Sequence, residues 1–135
     1  MAAHNGYLLI ADISGYTAFL TSSEQDHANP ILHSLLTSLV EQVGDPLHFW
    51  RMDGDAVLSY STREEFPSGE VFLTICENFY NAFATRQRDI IANTTCPCRA
   101  CANVENLDLK IMAHHGSFEE MTFGPVTDIS GSDVI

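Results

Sequence analysis

The chain has 135 residues, 45% of them hydrophobic and 10% aromatic, which suits one folded domain over residues 1–135 and is too short for two. Eighteen acidic against six basic residues give a formal net charge of −12, which repels phosphate backbones and argues against nucleic acids and anionic membranes as partners. No apolar run approaches the ~20 residues of a membrane span and the N-terminus lacks signal-peptide features, so we expect a cytoplasmic protein.

The first predicted elements are a buried strand and an amphipathic helix. Residues 7–11 form a short, continuous apolar run, typical of a strand buried on both faces, and Asp12 stands at its C-terminal end. Residues 15–20 are compatible with a short helix. After a polar stretch, Pro30 occupies a favoured first-turn position of a longer helix, whose apolar residues recur at helical spacing up to Gly44.

A hairpin and a second long helix come next. Residues 47–52 and 56–60 predict two strands, and Asp53-Gly54 between them is the favoured two-residue turn. Residues 71–92 predict a helix with a phenylalanine-rich face.

Alternating apolar and polar residues over 107–113 predict a strand that runs to His114-His115-Gly116, and residues 121–126 begin another hairpin arm. The order strand, helix, strand, strand, helix, strand predicts an α+β fold. We expect a two-layer ferredoxin-like sandwich, with a mainly antiparallel sheet and the helices on one face.

This topology predicts a site made of two carboxylates. The first strand and the hairpin lie side by side in such a fold, so Asp12 and Asp55 are expected to face each other, and their mutual repulsion calls for a cation. The alternatives are that Asp12 caps a helix and that Asp53 and Asp55 are ordinary hairpin-turn acids.

The cysteines predict a second, different site. Cys96, Cys98 and Cys101 form a Cys-x-Cys-x-x-Cys pattern on a polar loop, a spacing that lets three thiolates converge on one ion, with zinc as the natural candidate. The candidates for a fourth ligand are His114, His115 and Cys76. The alternatives are a redox-labile cysteine pair in the loop, structural histidines at the strand end and a small core residue at Cys76.

Four stretches resemble the motifs of class III nucleotidyl cyclases and occur in that family's order. They are ADISGYT at 11–17, which resembles the first metal motif, RMDGDAVLSY at 51–60, the second metal motif, LKIMAHHG at 109–116, a strand ending in His-x-Gly, and DISGSDVI at 128–135, which resembles an Asp-x-x-Gly-x-x-Val-Asn stretch. With its Cys-x-Cys-x-x-Cys insertion, the chain resembles an uncharacterised branch of the adenylate/guanylate cyclase homology domain.

The resemblance implies roles for individual residues. Asp12 and Asp55 match two aspartates that hold a pair of Mg²⁺ or Mn²⁺ ions, with the Ile13 carbonyl as a further ligand, and such ions activate a ribose 3′-hydroxyl and clamp the triphosphate. Arg51 and Asp128 match base-reading positions and favour ATP over GTP, although either residue also suits an ordinary surface charge. In the family these groups come from opposite subunits, so the resemblance implies a homodimer.

Two departures from the family bear on turnover. Ile135 stands where the family has a ribose-orienting asparagine, and an isoleucine side chain forms no hydrogen bond. The family's transition-state arginine lies past the end of this sequence, so we expect the C-terminal part of the fold to be missing. Loss of one such group commonly costs about 10²–10³ in rate, so formation of cyclic AMP and pyrophosphate should be impaired.

Two other functions stay open. One is a non-catalytic module that binds nucleotide or dimerises in signalling. The other is a thiolate–zinc protein in which the cysteine loop carries the function.

Overall fold

The computed structural model describes residues 2–15, 19, 25–65, 69–131 and 134. Within these ranges the main elements, in chain order, are β1 (Ala2–Ser14), α1 (Gln25–Val40), β2 (His48–Asp53), β3 (Ala56–Thr62), α2 (Gly69–Asn93), α3 (Arg99–Asn103), β4 (Asp108–Phe123) and β5 (Val126–Ser130). Single 3₁₀ turns follow β3 and α3. The predicted helix at 15–20 falls mostly outside the described residues, and so does Ile135.

The five strands form one sheet in the order β2-β3-β1-β4-β5, and every neighbouring pair is antiparallel. The central strand β1 pairs with β3 on one side and with β4 on the other. This arrangement confirms the predicted α+β sandwich and places β1 next to the β2-β3 hairpin.

The sheet buries one face under the helices. Because side chains alternate along a strand, Leu9, Ala11 and Ile13 of β1 point to the helical layer. They share one core with α1 and α2, to which Leu35 and Phe79 belong. The main core therefore lies between the sheet and α1 and α2.

The opposite face of the sheet carries a smaller apolar cluster and the acidic end of β1. Leu8 of β1 packs there with Tyr60, Phe118 and Ile129. By the same alternation Asp12 lies on this second face, away from the helical core. The position explains how a carboxylate can end a buried strand.

The sheet is curved strongly enough for its two edges to meet. Trp50 of edge strand β2 donates its indole N–H to the carboxylate of Asp128 on the other edge strand, β5. The twist of antiparallel strands allows such coiling. Residues far apart in sheet order thus become neighbours on the face opposite the helices.

Helix α1 differs from its prediction at both ends. It begins at Gln25, so Pro30 lies inside the helix, and it ends at Val40, before Gly44. Proline is a strong start signal, but Ala28 in the preceding turn is fully buried in the main core, and this packing outweighs the local signal.

Two other boundaries also differ. Strand β4 continues well beyond Gly116 to Phe123, so residues 121–123 end a long strand and the last hairpin turns at Gly124, whose φ is +62°. The cysteine segment was predicted as a loop, but it contains the short helix α3. None of the helices in the described ranges is long and apolar enough to cross a bilayer.

Candidate functional site

Asp12 and Asp55 are brought together at the end of the β1-β3 pair. Asp12 is paired in register with Ala56, and the next residue, Ile13, donates its backbone N–H to the carbonyl of Asp55 at 3.1 Å. The turn that positions Asp55 contains Gly54 at φ +61°, a conformation that favours glycine. The local hairpin chemistry therefore sets one carboxylate beside the other.

The electrostatics of this pair are unusual for a folded protein. Among the described residues, Asp12 Oδ1 is a buried side-chain oxygen without a hydrogen-bond donor. Burial, followed by the proximity of the Asp55 carboxyl group and its charge, raises the pKa of Asp12 from 3.8 to about 6. Lys110, opposite Asp12 on β4, acts in the other direction.

Two ionised carboxylates only accept hydrogen bonds, so they can share a proton or a cation but cannot satisfy each other. Carboxylate oxygens are the ligands that Mg²⁺ and Mn²⁺ prefer. The Asp12 oxygen that lacks a hydrogen-bond partner is thus suited to bind the Mg²⁺ or Mn²⁺ ion that the resemblance implies. The candidate metal ligands are the carboxylates of Asp12 and Asp55 and the carbonyl of Ile13.

Arg51 and Asp128 are brought together by Trp50. The Arg51 guanidinium lies 4.5 Å from the centroid of the Trp50 ring, and Asp128 Oδ1 accepts from the Trp50 indole N–H. The Ile129 backbone N–H donates to the same oxygen at 2.8 Å. The two predicted base-reading residues therefore flank one indole, a link that the sequence motifs do not contain.

The three loop cysteines converge on a histidine of α1. His27 Nδ1 lies 2.9 Å from the Sγ atom of Cys98, 3.5 Å from that of Cys96 and 3.8 Å from that of Cys101. All four donor atoms lie within 4.8 Å of one another. In the described part of the chain, this is the group of three or more His, Cys, Asp or Glu side chains arranged to hold a metal.

The residues that the sequence offered as a fourth ligand lie elsewhere. His114 pairs with Leu8 in the β1-β4 ladder, the His115 ring contacts Tyr7 edge-on with centroids 4.9 Å apart, and Cys76 packs against the main core from α2. His27 was missed because Pro30 indicated a later helix start, which left His27 in a presumed loop. The sequence shows only a histidine three residues before that proline, and without the fold this position does not indicate a metal ligand.

Helix α3 shapes the thiol cluster. Cys98 is its N-cap residue, and its sulfur accepts from the Cys101 backbone N–H at 3.4 Å. This amide, with a further contribution from His27, lowers the pKa of Cys98 to about 7. Burial and the neighbouring Cys98 and Cys96 thiols raise the pKa of Cys101 to about 12, because three adjacent thiolates repel one another without a cation.

Solved structures similar to this chain include nucleotidyl cyclases and a cyclase-like protein. A bacterial light-regulated adenylyl cyclase has a TM-score of 0.69 at 12% identity over 98% of this chain, and the guanylyl cyclase Cya2 has 0.67 at 11% over 98%. A class III adenylyl cyclase-like ATP-binding protein from Pseudomonas aeruginosa has 0.71 at 21% identity over 98%. The chain covers 66%, 66% and 30% of these structures, respectively.

A curated relative also matches. The uncharacterized protein Rv2561/Rv2562 of Mycobacterium tuberculosis is 26% identical over 106 residues, which is 74% of this chain, and the chain spans about half, 48%, of that relative. The profile described as "Protein of unknown function (DUF2652)" matches residues 32–135. This chain has the fold of a class III nucleotidyl cyclase domain and belongs to the DUF2652 family.

Proposed function

We propose that this domain binds a nucleoside triphosphate together with divalent cations at Asp12 and Asp55. The observation that carries the proposal is the buried Asp12 Oδ1, which has no donor among the described residues and faces a second carboxylate. An unsatisfied buried acceptor is costly, and a cation removes that cost.

The proposed metal ligands are the Asp12 and Asp55 carboxylates and the Ile13 carbonyl. When bound, Mg²⁺ or Mn²⁺ neutralises phosphate charge and activates a ribose hydroxyl. The net charge of −12 repels a free triphosphate, so we expect nucleotide binding to depend strictly on the metal.

Arg51 and Asp128 are the proposed base-reading pair. Both hydrogen bonds to Asp128 from Trp50 and Ile129 use Oδ1, so Oδ2 is the oxygen that we assign to an adenine amino group. The neighbouring structures include both adenylyl and guanylyl cyclases, so the preference for ATP rests on this pair. The ATP-binding neighbour from Pseudomonas aeruginosa is in line with it.

We also propose that the domain acts as a homodimer in the cytoplasm. Met112 lies on the sheet face that carries Asp12 and is 39% exposed, so this face offers apolar area to a second copy. The four cysteines are free, as expected in a reducing compartment. As the resemblance implies, such a dimer would combine the metal-binding aspartates of one subunit with the base-reading residues of the other.

The test is a calorimetric titration of ATP and of GTP into the protein, with and without Mn²⁺. We expect ATP binding that requires Mn²⁺ and is lost in Asp55→Ala, while Asp89→Ala, which removes an exposed acid on α2, binds like the wild type. Sedimentation of the same samples reports the dimer. Absence of binding by folded dimeric protein, or equal binding by Asp55→Ala, would contradict the proposal.

The same samples separate an enzyme from a binding module. Ile135 stands at the ribose-orienting position, so we expect cyclic AMP and pyrophosphate to form slowly. The rate should be about 10²-fold or more below that of a site with the family's asparagine. Product that appears in the wild type and disappears in Asp55→Ala assigns the cyclase reaction to this site. Nucleotide binding without formation of product would indicate a non-catalytic signalling module.

A second candidate function is favoured by a separate observation, the convergence of His27 with the three loop cysteines. That candidate is a thiolate–zinc protein, in which the soft donors favour zinc over Mg²⁺ or Mn²⁺.

A further inference from the structure

The strongest feature outside the proposed nucleotide site is the cluster of His27, Cys96, Cys98 and Cys101. We propose that these four side chains form a zinc site that ties the first turns of α1 to the segment after α2. The site involves neither Asp12 nor Asp55, so it stands or falls independently of the nucleotide proposal.

The distances suit a tetrahedral ion. Zinc–sulfur bonds of about 2.3 Å and zinc–nitrogen bonds of about 2.0 Å imply nitrogen–sulfur separations of about 3.5 Å in a tetrahedron. The separations between His27 Nδ1 and the three sulfurs are 2.9, 3.5 and 3.8 Å and bracket this value. Binding therefore requires only shifts of side chains.

The donor types select the metal. Three thiolates and one imidazole form a soft set that favours zinc over the oxygen-seeking Mg²⁺ and Mn²⁺. Four protein donors complete a tetrahedron and leave no position for a water or substrate, which is the mark of a structural site. The Cys101 N–H that donates to the Cys98 sulfur is the outer-shell support that metal thiolates use.

The surroundings explain what the ion would hold together. Ala28, next to His27, and Ala100, between Cys98 and Cys101, are both fully buried in the main core. The cluster thus links two segments that are both anchored in the same core. A depression of about 360 Å³, lined in part by His27, Cys96 and Cys101, gives an ion an entry path.

The first measurement is elemental analysis of protein purified under reducing conditions without added metal. We expect about one zinc per chain in the wild type and less than about a tenth of that in Cys98→Ser and His27→Ala. The matched controls are Cys76→Ser, a cysteine of α2, and His33→Ala, an exposed histidine of the same helix as His27. Both controls should keep their zinc.

A second measurement does not depend on the variants folding. Titration of metal-free wild-type protein with Co²⁺ should give the visible bands of a tetrahedral ion and a thiolate charge-transfer band, both saturating at about one equivalent. Equimolar Zn²⁺ should then abolish them.

Three results would overturn the proposal. One is wild-type protein that carries no zinc and gives no tetrahedral Co²⁺ spectrum. Another is a His27→Ala protein that keeps a full equivalent of zinc. The third is loss of zinc in Cys76→Ser and His33→Ala to the same degree as in Cys98→Ser.

Discussion

The two candidate metal regions of this molecule contrast in composition and in completeness. At the end of β1, Asp12 and Asp55 offer oxygen donors, and one of these oxygens has no partner among the described residues. Beside α1, three sulfurs and a nitrogen converge within 4.8 Å of one another. The first region is open to a further ligand, whereas the second has all the donors that a tetrahedral ion needs.

The ligand types indicate a different role for the metal in each region. An open carboxylate site suits an ion that shares its coordination with a substrate, since Mg²⁺ is usually bound by one or two carboxylates together with substrate phosphates. A closed thiolate site suits an ion whose binding free energy goes into folding. We therefore expect stability to depend on the cluster and ligand binding to depend on the carboxylates.

We expect the strongest effect from removal of metal, which should lower the stability of the protein through the cysteine cluster and not through the carboxylates. Stripping the protein of metal with a chelator in reducing buffer should lower the melting temperature by about 10 °C, because a structural metal is among the few single features worth several kcal/mol. Readdition of Zn²⁺ should restore the transition, and readdition of Mn²⁺ should not. Calorimetric unfolding of the three samples measures this, and recovery with Mn²⁺ alone would reverse our assignment.

The next effect concerns the charge on Asp12 in metal-free protein. Its pKa is raised to about 6, so the folded state binds this proton more tightly than the unfolded state does. The free energy of unfolding should consequently fall as the pH rises from roughly 4 to 6, and the loss persists at neutral pH. Asp12→Asn removes the buried charge and should be more stable than the wild type at pH 7 and equal to it below pH 4.

Urea unfolding across this pH range measures the difference between the two proteins. Asp89→Asn is the control for loss of an exposed charge and should follow the wild-type pH dependence. If Asp12→Asn were less stable than the wild type at pH 7, the negative charge of Asp12 would have to be stabilised in the folded state, against our prediction.

The weakest effect that we expect concerns recognition of the nucleotide base by Asp128. Asp128→Asn keeps an oxygen that can accept from Trp50 and Ile129, but it replaces Oδ2, the proposed acceptor of the adenine amino group, by an NH₂ donor. We therefore expect ATP affinity to fall by about 3- to 10-fold with little change for GTP. The Mn²⁺ requirement and the zinc content should stay as in the wild type. Competition titrations with both nucleotides measure this, and an equal loss for ATP and GTP would remove Asp128 from base recognition.

Local sequence signals predicted much of the fold and the proximity of Asp12 and Asp55. The Asp53-Gly54 pair predicts its hairpin because the turn needs a residue that accepts positive φ, and the apolar run before Asp12 predicts a central strand. With the order of elements, these two signals were enough to place Asp12 beside Asp55. The boundaries of α1 and β4 were wrong because core packing at Ala28 and pairing with β1 extend these elements beyond their local signals.

The individual strands, the acidic hairpin turn and the grouping of the three cysteines are readable from the sequence, since each depends on residues close together in the chain. Packing between distant elements is what brings His27 to the cysteine cluster and places Trp50 between Arg51 and Asp128. The contacts of His27 with the cysteines and of Trp50 with Asp128 span 69 to 78 residues of chain. They arise from the extra turn of α1 and from the curvature of the sheet, and both are set by packing between distant elements.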